Sequence, residues 1–146
     1  MRLLGLDVGE KRIGVAVSDE MGWTAQGIGV WPNTSEKDWF ERISELVEQQ
    51  GVAGIVLGYP KNMNGSIGDR ARQMELLAEK LRRRFQLPVH LWDERLSTVA
   101  AGRLLVEADL SRKKRKQVID KTAAVLILQG YLDYAHRNGD GIHGGT

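Results

Sequence analysis

The chain has 146 residues, of which 42% are hydrophobic and 27% charged, and its formal net charge is +2. This composition is typical of a globular protein, and the length predicts a single domain over residues 1–138 with a flexible tail at residues 139–146. No apolar stretch is long enough to span a bilayer, and Arg2 leads directly into a strand, so we expect neither a membrane segment nor a signal peptide. The absence of cysteine excludes disulfides and thiolate metal sites, and it fits a cytoplasmic protein.

Two further features of the composition bear on binding. The three histidines show no ligand spacing, so any metal would be a hard cation bound by oxygen rather than zinc. The net charge is unevenly distributed, because one run of five residues contributes +5 and the remainder of the chain sums to −3: Arg112, Lys113, Lys114, Arg115 and Lys116. Because adjacent like charges repel one another, we expect a loop there, either solvated or in contact with phosphate.

The N-terminal third of the chain predicts three strands, at residues 2–7, 12–18 and 25–31. In the second strand, Ile13, Val15 and Val17 share one face, which is the period of two expected of a strand. The short connection between the first two strands predicts an antiparallel hairpin.

The rest of the chain alternates helices and strands. Ser35, followed by Asp38, predicts the start of a helix that ends at Gly51, and residues 52–58 form a continuous apolar strand. After a loop at residues 59–68, the apolar spacing predicts a helix at residues 69–85 and then a strand at residues 88–93. Two more helices are predicted at residues 97–108 and 118–138, on either side of the basic loop.

This order of elements predicts an α/β fold, with a five-stranded mixed sheet, an antiparallel N-terminal meander and helices on both faces. In such sheets ligands bind at the carboxyl ends of the parallel strands. Asp7, Gly58 and the pair Asp93 and Glu94 all stand at such ends.

Asp7 is the most informative of these residues. It ends an apolar strand, where a carboxylate is costly unless a cation meets it. The glycine-bearing turn that follows brings Lys11 and Arg12 close to it. This arrangement suits a divalent metal, a phosphate, or both.

Two other places in the chain offer carboxylates to the same site. Strand alternation sends Asp93 and Glu94 to opposite faces, so one of them is expected in the site; we favour Glu94 and keep Asp93 as the alternative. Asp120 precedes the most apolar helical segment and shares a helix face with Ala123, Ala124 and Ile127. It is either a favourable first-turn acid or a metal ligand.

Three acids from two strand ends and a helix suit a pair of divalent cations such as Mg²⁺ or Mn²⁺. Such a pair lowers the pKa of an attacking water and stabilises the leaving oxygen of a phosphodiester. The candidate catalytic and metal-binding residues are therefore Asp7, Glu94 and Asp120. Lys11, Arg12 and Arg95 would contact phosphate, together with the basic run.

Four sequence blocks, LGLDVGEKRIG at residues 4–14, GYPKNMNG at 58–65, DERLST at 93–98 and DKTAA at 120–124, resemble the YqgF/RuvX family. That family is similar to bacterial RuvC and has the RNase H-like fold. Its members are described as candidate nucleases that process the 5′ end of pre-16S rRNA in ribosome biogenesis, and they were earlier proposed to be Holliday junction resolvases.

The resemblance implies that Asp7, one acid of the 93–94 pair and Asp120 bind the metals of an endonuclease. The implied partner is pre-rRNA, with branched DNA as the alternative substrate and a non-catalytic nucleic-acid-binding factor as the alternative function. RuvC-type resolvases often carry a further acid where this chain has Ala123, which weakens the equivalence to them. We expect a monomer or a weak homodimer, and the loop at residues 60–65 is either a simple turn or a substrate contact.

Overall fold

The computed structural model describes residues 1–62, 64–96 and 112–138, with residues 112–122 described by their backbone alone. The strands are β1 (Arg2–Val8), β2 (Arg12–Ser18), β3 (Ala25–Pro32), β4 (Val52–Tyr59) and β5 (Val89–Asp93). The helices are α1 (Glu36–Gln50), α2 (Asp69–Phe85) and α3 (Arg112–Arg137), and a 3₁₀ turn (Glu94–Leu96) follows β5. The helix predicted over residues 97–108 and the tail at residues 139–146 lie outside the described residues.

The five strands form one mixed sheet in the order β3-β2-β1-β4-β5. β1 pairs antiparallel with β2 and parallel with β4, and β4 pairs parallel with β5. The central strand β1 therefore has neighbours on both sides, whereas β5 is an outer strand of the described sheet. The predicted mixed sheet with its antiparallel meander is confirmed.

Helices cover both faces of this sheet, as predicted. On one face, Leu4 and Leu6 pack with the buried sides of α1 and α2. On the other face, Leu3 and Val56 pack with the apolar side of α3. α3 lies very close to β1, because a Cβ at Gly5 would stand 2.7 Å from the Cβ of Leu128. Alternation along β1 therefore places its odd-numbered residues, Asp7 among them, on the α3 face.

The ends of α1 follow from local hydrogen bonding. The Ser35 hydroxyl accepts a bond from the Asp38 amide at 3.4 Å, which supplies the predicted N-cap. Gly51 ends the helix with φ of 64°, a left-handed conformation that glycine adopts without strain.

The prediction that residues 112–116 form a loop is wrong, because α3 begins at Arg112. Lysine and arginine have high helix propensity, and no proline or glycine interrupts the chain between this run and Gly130. The 26-residue helix therefore includes the basic run despite the repulsion among its charges. No helix in the described part of the chain is long and apolar enough to cross a bilayer.

Candidate active site

The strand register brings three distant parts of the chain to one edge of the sheet. Leu6 pairs with Leu57, so Asp7 stands level with Gly58, and Gly58 in turn pairs with Trp92. β1, β4 and β5 run in the same direction, so their carboxyl ends lie side by side. The end of β5 thus carries Asp93 and Glu94 to the same edge of the sheet as Asp7.

A cleft of about 220 Å³ lies at this edge. Two of the predicted carboxylate residues, Asp7 and Glu94, line it together. The rest of its wall consists of the turn after β1, the end of β4 and the start of α2: Val8, Gly9, Glu10, Gly58, Pro60 and Arg70. Asp7 is half-buried near the end of a buried strand, as the sequence predicts.

The floor of the cleft is shaped to leave room for the Glu94 carboxylate. A Cβ at Gly58 would stand 3.2 Å from Glu94 Oε1 and 2.7 Å from Ile127 Cδ1. Only glycine fits there without displacing the carboxylate or the helix. Two carboxylates that converge on one cleft are the oxygen donors that Mg²⁺ and Mn²⁺ prefer, so the residues present fit a divalent cation.

The two adjacent acids are separated by the pleat of β5 and the 3₁₀ turn that follows. Trp92 packs on the α3 side, so Asp93 lies on the opposite side and Glu94 returns toward Asp7. Asp93 instead lines a second groove, along the outer edge of β5. The structure therefore brings Glu94, and not Asp93, together with Asp7.

Asp93 is engaged by Arg95. The guanidinium donates from Nη2 to Oδ2 at 2.8 Å and from Nε at 3.1 Å to the same oxygen, and the Arg95 amide donates to Oδ1 at 3.0 Å. These hydrogen bonds hold the pKa of Asp93 below its ordinary value and raise the pKa of Arg95. Arg95, predicted to contact phosphate, is thus bound to a neighbouring carboxylate.

The turn between β1 and β2 holds the other predicted cations. The Gly9 amide donates to the Arg12 carbonyl at 2.8 Å, which closes the turn. Asn33 stabilises the same turn. Its side-chain amide donates to the Gly9 carbonyl at 2.7 Å, and its backbone amide donates to the Lys11 carbonyl at 2.9 Å. Lys11 is exposed and Arg12 half-buried, and both lie beside the cleft rather than in its lining.

Arg70 lines the cleft and was not predicted from the sequence. It is the second residue of α2, and its Nη2 donates to the carbonyl oxygen of Val8, next to Asp7. Its Nη1 donates to Gln73 Oε1 at 3.1 Å. The only sequence signal is its place in the first turn of a helix that follows β4, because such a turn faces the carboxyl ends of the strands.

The third predicted acid, Asp120, lies in α3, one helical turn before Ala124. The Ala124 carbonyl oxygen would stand 3.2 Å from a Cβ at Gly5, so this part of α3 crosses β1 two residues before Asp7. The side chains of Asp120 and of the basic run, Arg112, Lys113, Lys114, Arg115 and Lys116, lie outside the described residues. Their roles stay predictions.

The loop after β4 is held by its own polar side chains. Asn62 donates to the Ser66 hydroxyl at 2.9 Å, and the Asn64 side chain accepts from the Ser66 amide at 3.0 Å. Gly65 has φ of 86°, and a Cβ there would stand 3.4 Å from Arg95 Nη1. Met63 lies outside the described residues, and among the others it is Pro60 that lines the cleft.

Comparison with known protein families gives a match that spans most of the chain. The family model described as "RuvX: Holliday junction resolvase" matches residues 1–134. The chain belongs to the RuvX family. Relatives from Bacillus cytotoxicus and Bacillus thuringiensis are 63% identical over 135 residues, which is 91% of this chain and 98% of theirs. Both carry the name "Putative pre-16S rRNA nuclease".

Solved structures of resolvases share the architecture of this RuvX protein. RuvC of T. thermophilus in complex with a Holliday junction substrate aligns with a TM-score of 0.59 at 16% identity, covering 96% of this chain and 98% of that one. The fowlpox virus Holliday junction resolvase aligns with a TM-score of 0.50 at 14% identity, covering 94% and 99%. At these identities the likeness shows the fold, which is RNase H-like as predicted. The family and its curated relatives are described as nucleases, so the predicted enzyme class is also confirmed.

Proposed function

We propose that this protein is a divalent-metal-dependent endonuclease that processes precursor 16S ribosomal RNA. The observation that carries the proposal is the convergence of Asp7 and Glu94 on one cleft, over a glycine that leaves room for a carboxylate oxygen. The name of the 63% identical relatives supports pre-rRNA as the substrate. A ribosomal RNA substrate also implies a cytoplasmic location.

In this proposal Asp7, Glu94 and Asp120 hold Mg²⁺ or Mn²⁺. A bound divalent cation supplies an activated water and stabilises the leaving oxygen of the phosphodiester. The chain's own part is to fix two anionic oxygen donors in place, on strands held by their neighbours in the sheet. Asp93 has a different role, because its carboxylate holds Arg95 and the 3₁₀ turn that presents Glu94.

RNA is contacted mainly through its phosphates, so the surface around the cleft should be cationic. Lys11 and Arg12 flank the cleft on the β1–β2 turn. The five-residue basic run lies in the first turns of α3, the helix that also carries Asp120. We propose that both groups bind phosphates on either side of the cut.

The alternative substrate is a four-way DNA junction, which the description of the matching family favours. Symmetric incision of a junction requires two active sites at a fixed spacing, and therefore a dimer. We propose the RNA substrate and a monomer or a weak homodimer, which leaves a single cleft to make each cut.

The test is incubation of the purified protein with precursor 16S rRNA and with a junction DNA, in Mg²⁺, in Mn²⁺ and in EDTA. We expect cleavage of the RNA only with a divalent cation, and loss of cleavage in Asp7→Asn and Glu94→Gln. Asp38→Asn is the matched control, because Asp38 is an exposed acid in the first turn of α1.

Each alternative predicts a different outcome of this experiment. Cleavage in EDTA, or an active and folded Asp7→Asn variant, contradicts the metal-dependent mechanism. Preferential cutting of the junction by a dimer establishes the resolvase alternative. Tight RNA binding without any product, in either metal, establishes a non-catalytic binding factor.

A further inference from the structure

We propose that Arg70 binds the non-bridging oxygens of the phosphate that is cut, and that its guanidinium stabilises the negative charge that develops there. This inference rests on the nuclease function proposed above. It assigns a catalytic residue on α2, a helix that carries none of the predicted acids or phosphate contacts.

Arg70 is held in the cleft at two corners of its guanidinium. Nη2 donates to the Val8 carbonyl, which belongs to the residue after Asp7, and Nη1 donates to Gln73 Oε1 at 3.1 Å. Both acceptors are neutral oxygens. The positive charge of Arg70 is therefore not paired with a carboxylate among the residues that the structure describes. This differs from Arg95, whose guanidinium is bound to Asp93 in the same region.

A fixed guanidinium has the properties that a phosphate contact requires. It presents five N–H donors in one plane, and two of them are used by Val8 and Gln73, so donors remain for a ligand in the cleft. Its geometry matches two phosphate oxygens, and its charge does not titrate near neutral pH. Because the guanidinium is already positioned, little reorganisation is needed when charge develops on the phosphate.

The position of Arg70 relative to the carboxylates supports the same role. Asp7 and Glu94 line the same cleft, so a phosphate close to them also lies close to Arg70. Carboxylates in the cleft would repel a phosphate, and a cation in the same lining offsets that repulsion. The bond to Val8 places this cation beside the strand end that carries Asp7.

The test compares Arg70→Ala with Arg72→Ala. Arg72 has the same charge on the same helix, but its side chain is 69% exposed and its ion pair with Asp69 spans 4.0 Å. We expect kcat for RNA cleavage in Mn²⁺ to fall roughly 100-fold in Arg70→Ala, as when one preorganised donor is lost. Arg72→Ala should stay within about twofold of wild type, since exposed ion pairs contribute little.

Two further readouts separate a phosphate contact from a structural role. Free guanidinium at low concentration should restore part of the activity of Arg70→Ala and none in Arg72→Ala. The salt dependence of binding to a single-stranded RNA, measured in EDTA, should become shallower by about 0.7 in log–log slope for Arg70→Ala, because one phosphate contact is lost. Arg70→Ala also loses the bond to Val8 and could unfold for that reason. In that case Arg70→Gln is the variant that tests the phosphate contact, because it keeps an amide donor and removes the charge.

The outcomes distinguish this inference from the proposed function. If wild type cuts RNA and a folded Arg70→Ala or Arg70→Gln variant retains the wild-type kcat, the role of Arg70 is overturned and the nuclease function stands. If wild type cuts no substrate, the nuclease function fails, and an unchanged salt slope in the variants then overturns the phosphate contact independently. A slower variant that free guanidinium does not rescue, with an unchanged salt slope, also overturns it.

Discussion

Replacing Gly58 by alanine tests the packing of the cleft floor most directly. The new Cβ would stand 2.7 Å from Ile127 Cδ1 and 3.2 Å from Glu94 Oε1, so both groups must move. Overpacking of this kind costs about 1–3 kcal/mol, and we expect the free energy of unfolding to fall by about 2 kcal/mol. For a chain of this length, that loss corresponds to a decrease in Tm of about 4–8 °C.

The same substitution should slow catalysis, because Glu94 has to shift by a few tenths of an ångström. A displacement of about 1 Å can cost roughly 100-fold in rate, so we expect kcat to fall by about tenfold. Urea unfolding measures the first effect, and RNA cleavage in Mn²⁺ measures the second. The matched control is Gly29→Ala in β3, where a Cβ meets nothing within 4 Å. We expect that variant to gain roughly 0.5–1 kcal/mol and to keep full activity.

A double variant separates the two effects. Ile127→Val removes the Cδ1 atom that a Cβ at position 58 would meet and alone costs about 1 kcal/mol. Combined with Gly58→Ala, it should cost less than the sum of the two single changes, while the contact with Glu94 keeps kcat low. The reasoning is refuted if Gly58→Ala is as stable and as active as Gly29→Ala, or if Ile127→Val restores kcat to Gly58→Ala.

Three further predictions concern residues away from the cleft. Ser35→Ala removes the N-cap of α1 and should lower the free energy of unfolding by about 1 kcal/mol with unchanged kcat, which urea unfolding and a cleavage assay will check. Hydrogen bonds from the Thr24 and Trp23 amides hold the pKa of Asp19 below its ordinary value. The stability that these bonds add is therefore fully present at pH values above the ordinary pKa of an aspartate, and it is lost as the pH falls through the lowered pKa. Asp19→Asn should therefore lose less stability on acidification than wild type, as seen in unfolding curves collected at a series of acidic pH values. Burial and the charge of Arg82 lower the pKa of His90, so wild type should lose stability below about pH 6.5, where the unfolded chain takes up the proton first. His90→Phe keeps an aromatic ring for the stack on Tyr131. In the same unfolding experiment it should weaken the dependence of stability on pH below about pH 6.5, and an unchanged dependence would contradict this prediction.

Much of the fold follows from local patterns in the sequence. Alternation in β2 predicted a strand, its short connection to β1 predicted an antiparallel hairpin, and the continuous apolar run of β4 predicted a buried strand. All three are observed. Ser35 and Gly51 predicted the two ends of α1 because capping depends on nearby residues. The basic run was misassigned because charge repulsion was weighed above the helix propensity of lysine and arginine.

The candidate active site was harder to predict from local sequence patterns than the fold. Strand ends pointed to Asp7 and to the acidic pair, but the choice of Glu94 depends on the 3₁₀ turn after β5, which no local signal specifies. Arg70 was missed because its position reflects how α2 lies against the end of β1, and that is a tertiary contact. Sequence thus located the strand ends, whereas packing determined which side chains meet there.

The position of β5 at the border of the sheet has a consequence for how activity is lost. Glu94 directly follows this five-residue strand, which pairs with β4, whereas Asp7 stands on the central strand. Strands at the edge of a sheet unfold locally at a lower free-energy cost than central strands. Warming or mild denaturant should therefore inactivate the nuclease reversibly before the bulk of the molecule melts, which makes cleavage rate a more sensitive reporter of partial opening than circular dichroism.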